Sequence, residues 1–359
     1  MRLTTILLII VVLSACDTDS AEPKEIVLDL PSEPYEYFGD ANVATLGRVL
    51  FYDTKLSINN AISCASCHKQ EIAFSDNKQF SRGFENRSTT RNSMPIQNLG
   101  NFFRNSFGDS FISPGFSTGL FWDGRGVDQA NAVLFPIINH VEMGIPNLQY
   151  LEEKLNGIDY YDELFSEAFG TEEVTKELIG TALHAFLVNI TSNETKLDKF
   201  IQEEAQLSAK EIMGAELFIS KYQCNNCHQV ESPSGYIFAG LFANIGLEKE
   251  YADSGLESTT NQSFDAGRFK IPSLRNVVLT GPYMHDGRFE TLEEVINHYK
   301  DGVEDHPNLD PRLRSEDGSP IQFEITDSEV SAIIAFLGTL TDENMLTDER
   351  FSNPFKVKE

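Results

Sequence analysis

Two pentapeptides of one pattern, Cys64-Ala65-Ser66-Cys67-His68 and Cys224-Asn225-Asn226-Cys227-His228, account for four of the five cysteines in the chain. C-x-x-C-H is the attachment pattern of c-type haem. The two thiols add across the haem vinyl groups, and the histidine that follows is delivered to the iron as an axial ligand. The same thiols could instead hold zinc or exchange disulfides. Zinc pairs are usually about 15–20 residues apart, whereas residues 68–223 separate these two. A thioredoxin-like motif has no need of a histidine after both pairs. The chain must therefore fold around two macrocycles.

The fifth cysteine lies in the leader. Met1 and Arg2 precede an apolar run from Ile6 to Leu13, too short to span a bilayer but long enough for the core of a signal peptide. Leu13-Ser14-Ala15-Cys16 resembles a bacterial lipoprotein signal, with cleavage before Cys16 and lipidation of its thiol and new amino group. On this reading residues 1–16 are the signal, residues 17–37 an acidic tether, and the protein sits in the periplasm, anchored to a membrane by Cys16. Four cysteines for haem and one for lipid leave none for a disulfide.

About 340 mature residues suggest two domains, one for each haem. Boundaries are expected at residues 38–205 and 206–345, with a tail over 346–359. A net charge of -27 argues against nucleic acid and against an anionic membrane surface, and favours steering of a small cationic partner. Pro, Gly, Asn and Ser are frequent from Ser57 to Arg125, which points to long loops wrapped on a cofactor.

Helical signals are clearest elsewhere. Ile179, Leu183, Phe186 and Ile190 recur at helical spacing within Val174 to Ile190 and predict an amphipathic helix bridging the two halves. Ser208 with Glu211, Thr291 with Glu294, and Thr326 with Glu329 are capping boxes that predict three helix starts. The first leads into the second haem motif with Ile212, Ala215, Ile219 and Tyr222 as its buried face. The second places Leu292, Val295, Ile296 and Tyr299 inward. The third carries the core stripe Val330, Ile333, Ile334 and Leu337. No strand alternation stands out, so the fold class is mostly α, with two haem domains packed together and long loops.

Four further stretches carry a resemblance: Thr90-Arg91-Asn92-Ser93, Phe121-Trp122-Asp123-Gly124-Arg125, Val141-Glu142-Met143-Gly144, and Pro272-Ser273-Leu274-Arg275-Asn276 continuing to Gly281-Pro282-Tyr283-Met284-His285-Asp286-Gly287. Together with the haem motifs, over residues 38–345, the chain resembles the bacterial dihaem cytochrome c peroxidase and MauG family. The resemblance implies two cytochrome c-like domains with a calcium ion between their haems. The N-terminal haem would react with peroxide and the C-terminal haem would relay electrons.

A peroxidase also needs an acid-base group on the open side of one iron, because heterolysis moves a proton from one peroxide oxygen to the other. Glu142 matches the family's distal glutamate, and a carboxylate desolvated in a haem pocket holds a proton near neutral pH. His140 beside it could assist proton transfer, ligate iron or only cap a loop, and the loop role is favoured. Peroxidases of the family carry a distal histidine ahead of the Arg-Asn motif. Residues 77–91 contain none here, and Phe84 stands at roughly the matching place. A phenyl ring cannot ligate iron, so the N-terminal haem is expected to be open in the fully oxidised protein.

By the same resemblance Trp122, the one tryptophan, lies between the haems and relays electrons. Asn92, through its side-chain oxygen, and the backbone carbonyls of Thr280 and Pro282 would hold the calcium, hard oxygen donors that suit this ion. Tyr299 falls where the peroxidases have a ligating methionine and MauG a ligating tyrosine; Met284 and His298 are the rival ligands of the second iron. A thioether favours the ferrous state and a phenolate the ferric. His184 and His306 are expected to be structural or solvated.

The leading functional expectation is a dihaem peroxidase reducing hydrogen peroxide to water with electrons from a small periplasmic cytochrome or cupredoxin. The alternatives are a MauG-like enzyme oxidising side chains of a partner protein, and an electron carrier without peroxide chemistry. Family members are often dimers, so a homodimer is implied by analogy.

Overall fold

The computed structural model describes residues 26–99, 120–126, 129–228 and 242–358. The apolar leader, Cys16 and the first part of the expected tether lie outside them.

Two helix pairs built by one device organise the chain. In the first, the helix Ala41–Tyr52 crosses the helix Lys176–Leu187. Gly47 makes the crossing tight: a methyl at that position would overlap the carbonyl oxygen of Ala182 and crowd Cβ of Phe186. In the second, the helix Ala209–Glu216 crosses the helix Asp327–Gly338. A methyl at Gly214 would there collide with the carbonyl of Ala332 and Cβ of Phe336. Four residues beyond each glycine stands a phenylalanine that meets the partner helix's own. Phe51 lies 5.3 Å from Phe186 and Phe218 lies 5.6 Å from Phe336, between ring centroids. Only a residue without Cβ lets backbones approach this closely.

Buried side chains gather around each pair in two large clusters. One holds Leu46, Leu50, Phe74, Tyr161 and Phe186; the other holds Phe218, Tyr222, Ile296, Ile333 and Phe336. The three expected capping boxes are all present, at Ser208/Glu211, Thr291/Glu294 and Thr326/Glu329. The fold is mostly α, with extended loops and short turns around the first haem motif.

Several expectations need correction. The helix Lys176–Leu187 buries Ile179, Leu183 and Phe186 as the periodicity predicts, but against Ala41–Tyr52 within the first cluster, so it does not bridge the halves. Ile212 is not in a buried face: it is 43% exposed, while Gly214, Leu217 and Phe218 face the core. A rule that weights large apolar residues cannot see that a glycine leads the contact, and a π turn over Leu217–Lys221 rotates the residues after it.

The ends of the chain also differ from expectation. Ile26–Leu28, expected as tether, pairs antiparallel with Phe355–Val357 in the expected tail. Phe351 is fully buried in the first cluster, the Tyr52 hydroxyl donates to its carbonyl at 2.6 Å, and Arg48 donates to the Ser352 carbonyl at 2.7 Å. The apolar side chains of Phe351 and Phe355 outweigh the charged residues around them. A second two-stranded sheet pairs Phe242–Ala243 with Phe269–Lys270. Both sheets are too short to show alternation in sequence.

Candidate active site

Each haem motif forms a tight turn that brings its histidine back under its first cysteine. The His68 N–H donates to the Cys64 carbonyl at 3.0 Å, and the His228 N–H to the Cys224 carbonyl at 2.9 Å. Nδ1 of His68 lies 3.1 Å from the Phe74 carbonyl, and Nδ1 of His228 lies 3.2 Å from the Pro272 carbonyl. A carbonyl only accepts, so both Nδ1 atoms carry the proton and both Nε2 atoms keep the lone pair an iron needs. Burial also lowers both imidazoles, that of His228 to about 4, which keeps them neutral.

The thiols complete the fit to c-type haem. None of the four is in a disulfide. Burial pushes Cys64 up to about 12 and Cys67 and Cys224 up to about 11. A dithiol poised for exchange has a lowered value, so the redox-motif alternative has no support here.

Cys64, Cys67 and His68 line a cavity of about 830 Å³, walled by Trp122, Asn139 and Glu142. Burial raises Glu142, opposed by the positive charge of Arg125 and by a hydrogen bond from Asn139. The loop bearing it is rigidly placed: Phe84 N–H donates to the Glu142 carbonyl at 2.7 Å, and Gly83 packs so closely on Val141 and Glu142 that no side chain fits there. Phe84 does not take the place expected for it. Its ring packs against Gly144 and it is absent from the cavity wall, so the nearest wall residue in that segment is Gly83. His140 is exposed and its carbonyl accepts from Arg87 at 3.1 Å, a loop role.

Trp122 is buried on the wall of this cavity and bonded to both halves of the chain. Its indole N–H donates to the Asn92 carbonyl at 2.9 Å, and its own carbonyl accepts from Lys270 N–H at 2.9 Å. Asn92 N–H donates in turn to the His285 carbonyl at 2.7 Å. The Asn92 side-chain nitrogen donates to the carbonyls of Lys78 and Gln79, at 3.0 and 3.3 Å, which turns the side-chain oxygen away from them. Thr280 and Pro282 are buried a few residues from His285. Among the described residues no group of three or more His, Cys, Asp or Glu could hold a metal ion.

Around the second motif, Tyr299 lies in a π turn over His298–Gly302 that follows the helix Leu292–Asn297. Burial raises its hydroxyl, and the charges of Cys227 and Cys224 raise it further. Nε2 of His298 is 2.9 Å from the Ile245 carbonyl, which commits that nitrogen to the backbone. Met284 is half-buried with a φ of 74°. His306 is buried, its Nδ1 accepting from Asn308 N–H at 3.0 Å, and His184 is half-buried on its helix.

Several motif residues have structural partners that sequence could not reveal. Arg91 bonds Asp253 through two nitrogens at 2.7 Å and Asp123 at 2.6 Å. Arg275 makes a fully buried two-point pair with Asp198 at 2.7 and 2.6 Å. Asn139, also missed, donates to Glu142 Oε1 at 2.7 Å; only its place three residues before the glutamate hinted at a link.

A family model for di-haem cytochrome c peroxidase matches residues 41–206. The chain is 32% identical to methylamine utilization protein MauG of Methylorubrum extorquens, over 83% of this chain and 78% of that protein. It is 30% identical to cytochrome c551 peroxidase of Nitrosomonas europaea, over 85% and 81%. Among solved structures, a MauG-like protein associated with microbial copper homeostasis superimposes with a TM-score of 0.73 and 31% identity, over 91% of this chain and 98% of that one. The chain belongs to the di-haem cytochrome c peroxidase and MauG family. It is a haem-dependent oxidoreductase of the peroxidase class, and membership implies two c-type haems.

Proposed function

We propose that this protein reduces hydrogen peroxide to water at the haem on Cys64, Cys67 and His68, with electrons delivered singly by a small cytochrome or cupredoxin in the periplasm. The observation that carries this reading is Glu142, half-buried on the wall of the cavity that His68 lines. Haem held by Cys64, Cys67 and His68 would supply the redox chemistry that cleavage of the peroxide bond needs. The chain supplies the rest. Glu142 accepts the proton of the bound peroxide and returns it to the leaving oxygen, a transfer worth about 10²–10⁴-fold in rate. From residues 77–91 that wall takes Ser81, Gly83, Thr89, Thr90 and Arg91, with no histidine, cysteine or methionine among them, which supports an open first haem without prior reduction.

Trp122 is the relay between halves, supported by its hydrogen bonds to Asn92 and Lys270. Asn92 with the carbonyls of Thr280 and Pro282 is the calcium site; the Asn92 side-chain nitrogen is spent on two carbonyls, which leaves the oxygen for a cation. Tyr299 is the distal ligand of the second iron, supported by the influence of Cys227 and Cys224 on its hydroxyl and by the engagement of His298 elsewhere. The lipid on Cys16 tethers the protein. Among the described residues no helix is long and apolar enough to cross a membrane.

A second reading, MauG-like oxidation of side chains on a partner protein, is favoured by Tyr299 in that position. The two separate when oxidised protein is mixed with peroxide and then with a reduced small cytochrome. Fast oxidation of the donor establishes the peroxidase. A long-lived oxidised protein with poor donor turnover establishes the MauG-like reading, and no spectral change overturns both.

A further inference from the structure

We propose that Asn139 is a positioning residue that decides which oxygen of Glu142 carries the transferable proton, and so aims the acid. Asn139 matters in this way only if Glu142 moves the proton, as proposed above. Its amide has one orientation. Val141 N–H donates to Oδ1 at 2.9 Å, and a backbone N–H can only donate, so that atom is the oxygen and the other is the nitrogen. Nδ2 then donates to Glu142 Oε1 at 2.7 Å. A carboxyl oxygen that bears a proton accepts hydrogen bonds poorly, so this contact keeps Oε1 the carbonyl-like atom. The proton is directed to Oε2, which makes no hydrogen bond with the described residues.

The backbone holds this pair in register. The Asn139 carbonyl accepts from Glu142 N–H at 3.0 Å and from Gly144 N–H at 2.9 Å, closing residues 139–144 into one turn. Asn139 itself stands on the cavity wall. Donor and acid are thus fixed to the same few residues, the kind of preorganisation that keeps a proton-transfer group in its productive geometry.

The other charged groups on that wall are mostly committed. Arg91 and Arg125 both bond Asp123, Arg91 also bonds Asp253, and Lys270 enters from the second half of the chain. Arg125 favours the Glu142 carboxylate by its charge. From the adjoining loop, Arg87 reaches the His140 carbonyl and pairs with Glu85. Among the described residues Asn139 is the neutral side chain that bonds a Glu142 oxygen, so it supplies direction where the charges supply only bias.

The test uses the haem-loaded full chain. Infrared difference spectra across pH identify the Glu142 carboxyl band as the one missing from E142Q. In N139A the band is expected to move to higher frequency and its ionisation midpoint to rise, because the carboxylate has lost a donor. N139D keeps the Val141 contact while removing the amide donor, and its midpoint is expected to rise further. The peroxide step should slow roughly tenfold or more in both, with its pH profile moving alongside the band, while haem content stays at two per chain. An unmoved band and midpoint in both variants would overturn the role of Asn139. Equal peroxide rates for wild type and E142Q would overturn the role of Glu142 as acid, and the role of Asn139 with it.

Discussion

The indole N–H of Trp122 donates to the backbone carbonyl of Asn92 at 2.9 Å, and Asn92 N–H donates in turn to the His285 carbonyl, which ties the cavity at the first haem motif to the other half of the chain. Three residues carry the link onward. Lys270 N–H donates to the Trp122 carbonyl, and the Pro272 carbonyl accepts from the His228 imidazole. One short stretch of backbone therefore runs from the tryptophan beside the first haem motif to the histidine of the second.

Replacing Trp122 by Phe keeps a ring but removes the donor. Stability should fall by about 1–2 kcal/mol, because the buried Asn92 carbonyl loses its partner. In single-turnover mixing the peroxide step should persist while delivery of electrons from the donor slows. An unchanged donor rate would remove Trp122 from the relay.

Glu142→Gln should slow the peroxide step by about 10²–10⁴-fold while leaving haem content intact. Stability carries a second signature. Burial raises the Glu142 carboxyl above its ordinary value, so the folded chain holds a proton that the unfolded chain releases. The associated stability is full below the ordinary carboxylate range and is lost as pH rises through the raised value. Denaturant titrations from pH 4 to 8 should show that decline weakened in E142Q.

Asp198→Asn should cost about 3–5 kcal/mol, since it leaves the buried Arg275 guanidinium without its counter-charge. Burial pushes the Asp198 carboxyl up, but Arg275 outweighs it and holds the value below the ordinary range. Its contribution is therefore present above the ordinary carboxylate value and lost as pH falls towards the folded one. Acid unfolding of wild type and D198N should converge at low pH.

Gly214→Ala puts a methyl against the Ala332 carbonyl, and the helix crossing must open. A loss of about 1–3 kcal/mol or more is expected. Gly338→Ala, where nothing lies within 4 Å, should be neutral or slightly stabilising. Thermal unfolding of the two variants side by side checks both outcomes.

Tyr299→Phe should change the optical and paramagnetic-resonance signature of one haem and leave the other alone. It should also raise the reduction potential of that haem, since an anionic phenolate favours ferric iron. An unchanged signature would remove Tyr299 from the iron.

The covalent and short-range facts are legible in the chain alone: two haem attachment sites, three capping boxes, and the spacing that makes Val330, Ile333 and Leu337 a core face. Each of these depends on residues only a few positions apart in the chain, so a linear string contains them. Tertiary structure alone decided what meets across the chain. Ile212 was misplaced because Gly214 leads the helix crossing, and the tail was misplaced because Phe351 finds its cavity some 300 residues away, beside Tyr52. Arg275 was legible as part of a motif, but its partner Asp198 was not. The Asn139 contact was hidden for a different reason: a three-residue spacing permits a side-chain hydrogen bond, and only the folded turn fixes which oxygen of Glu142 receives it.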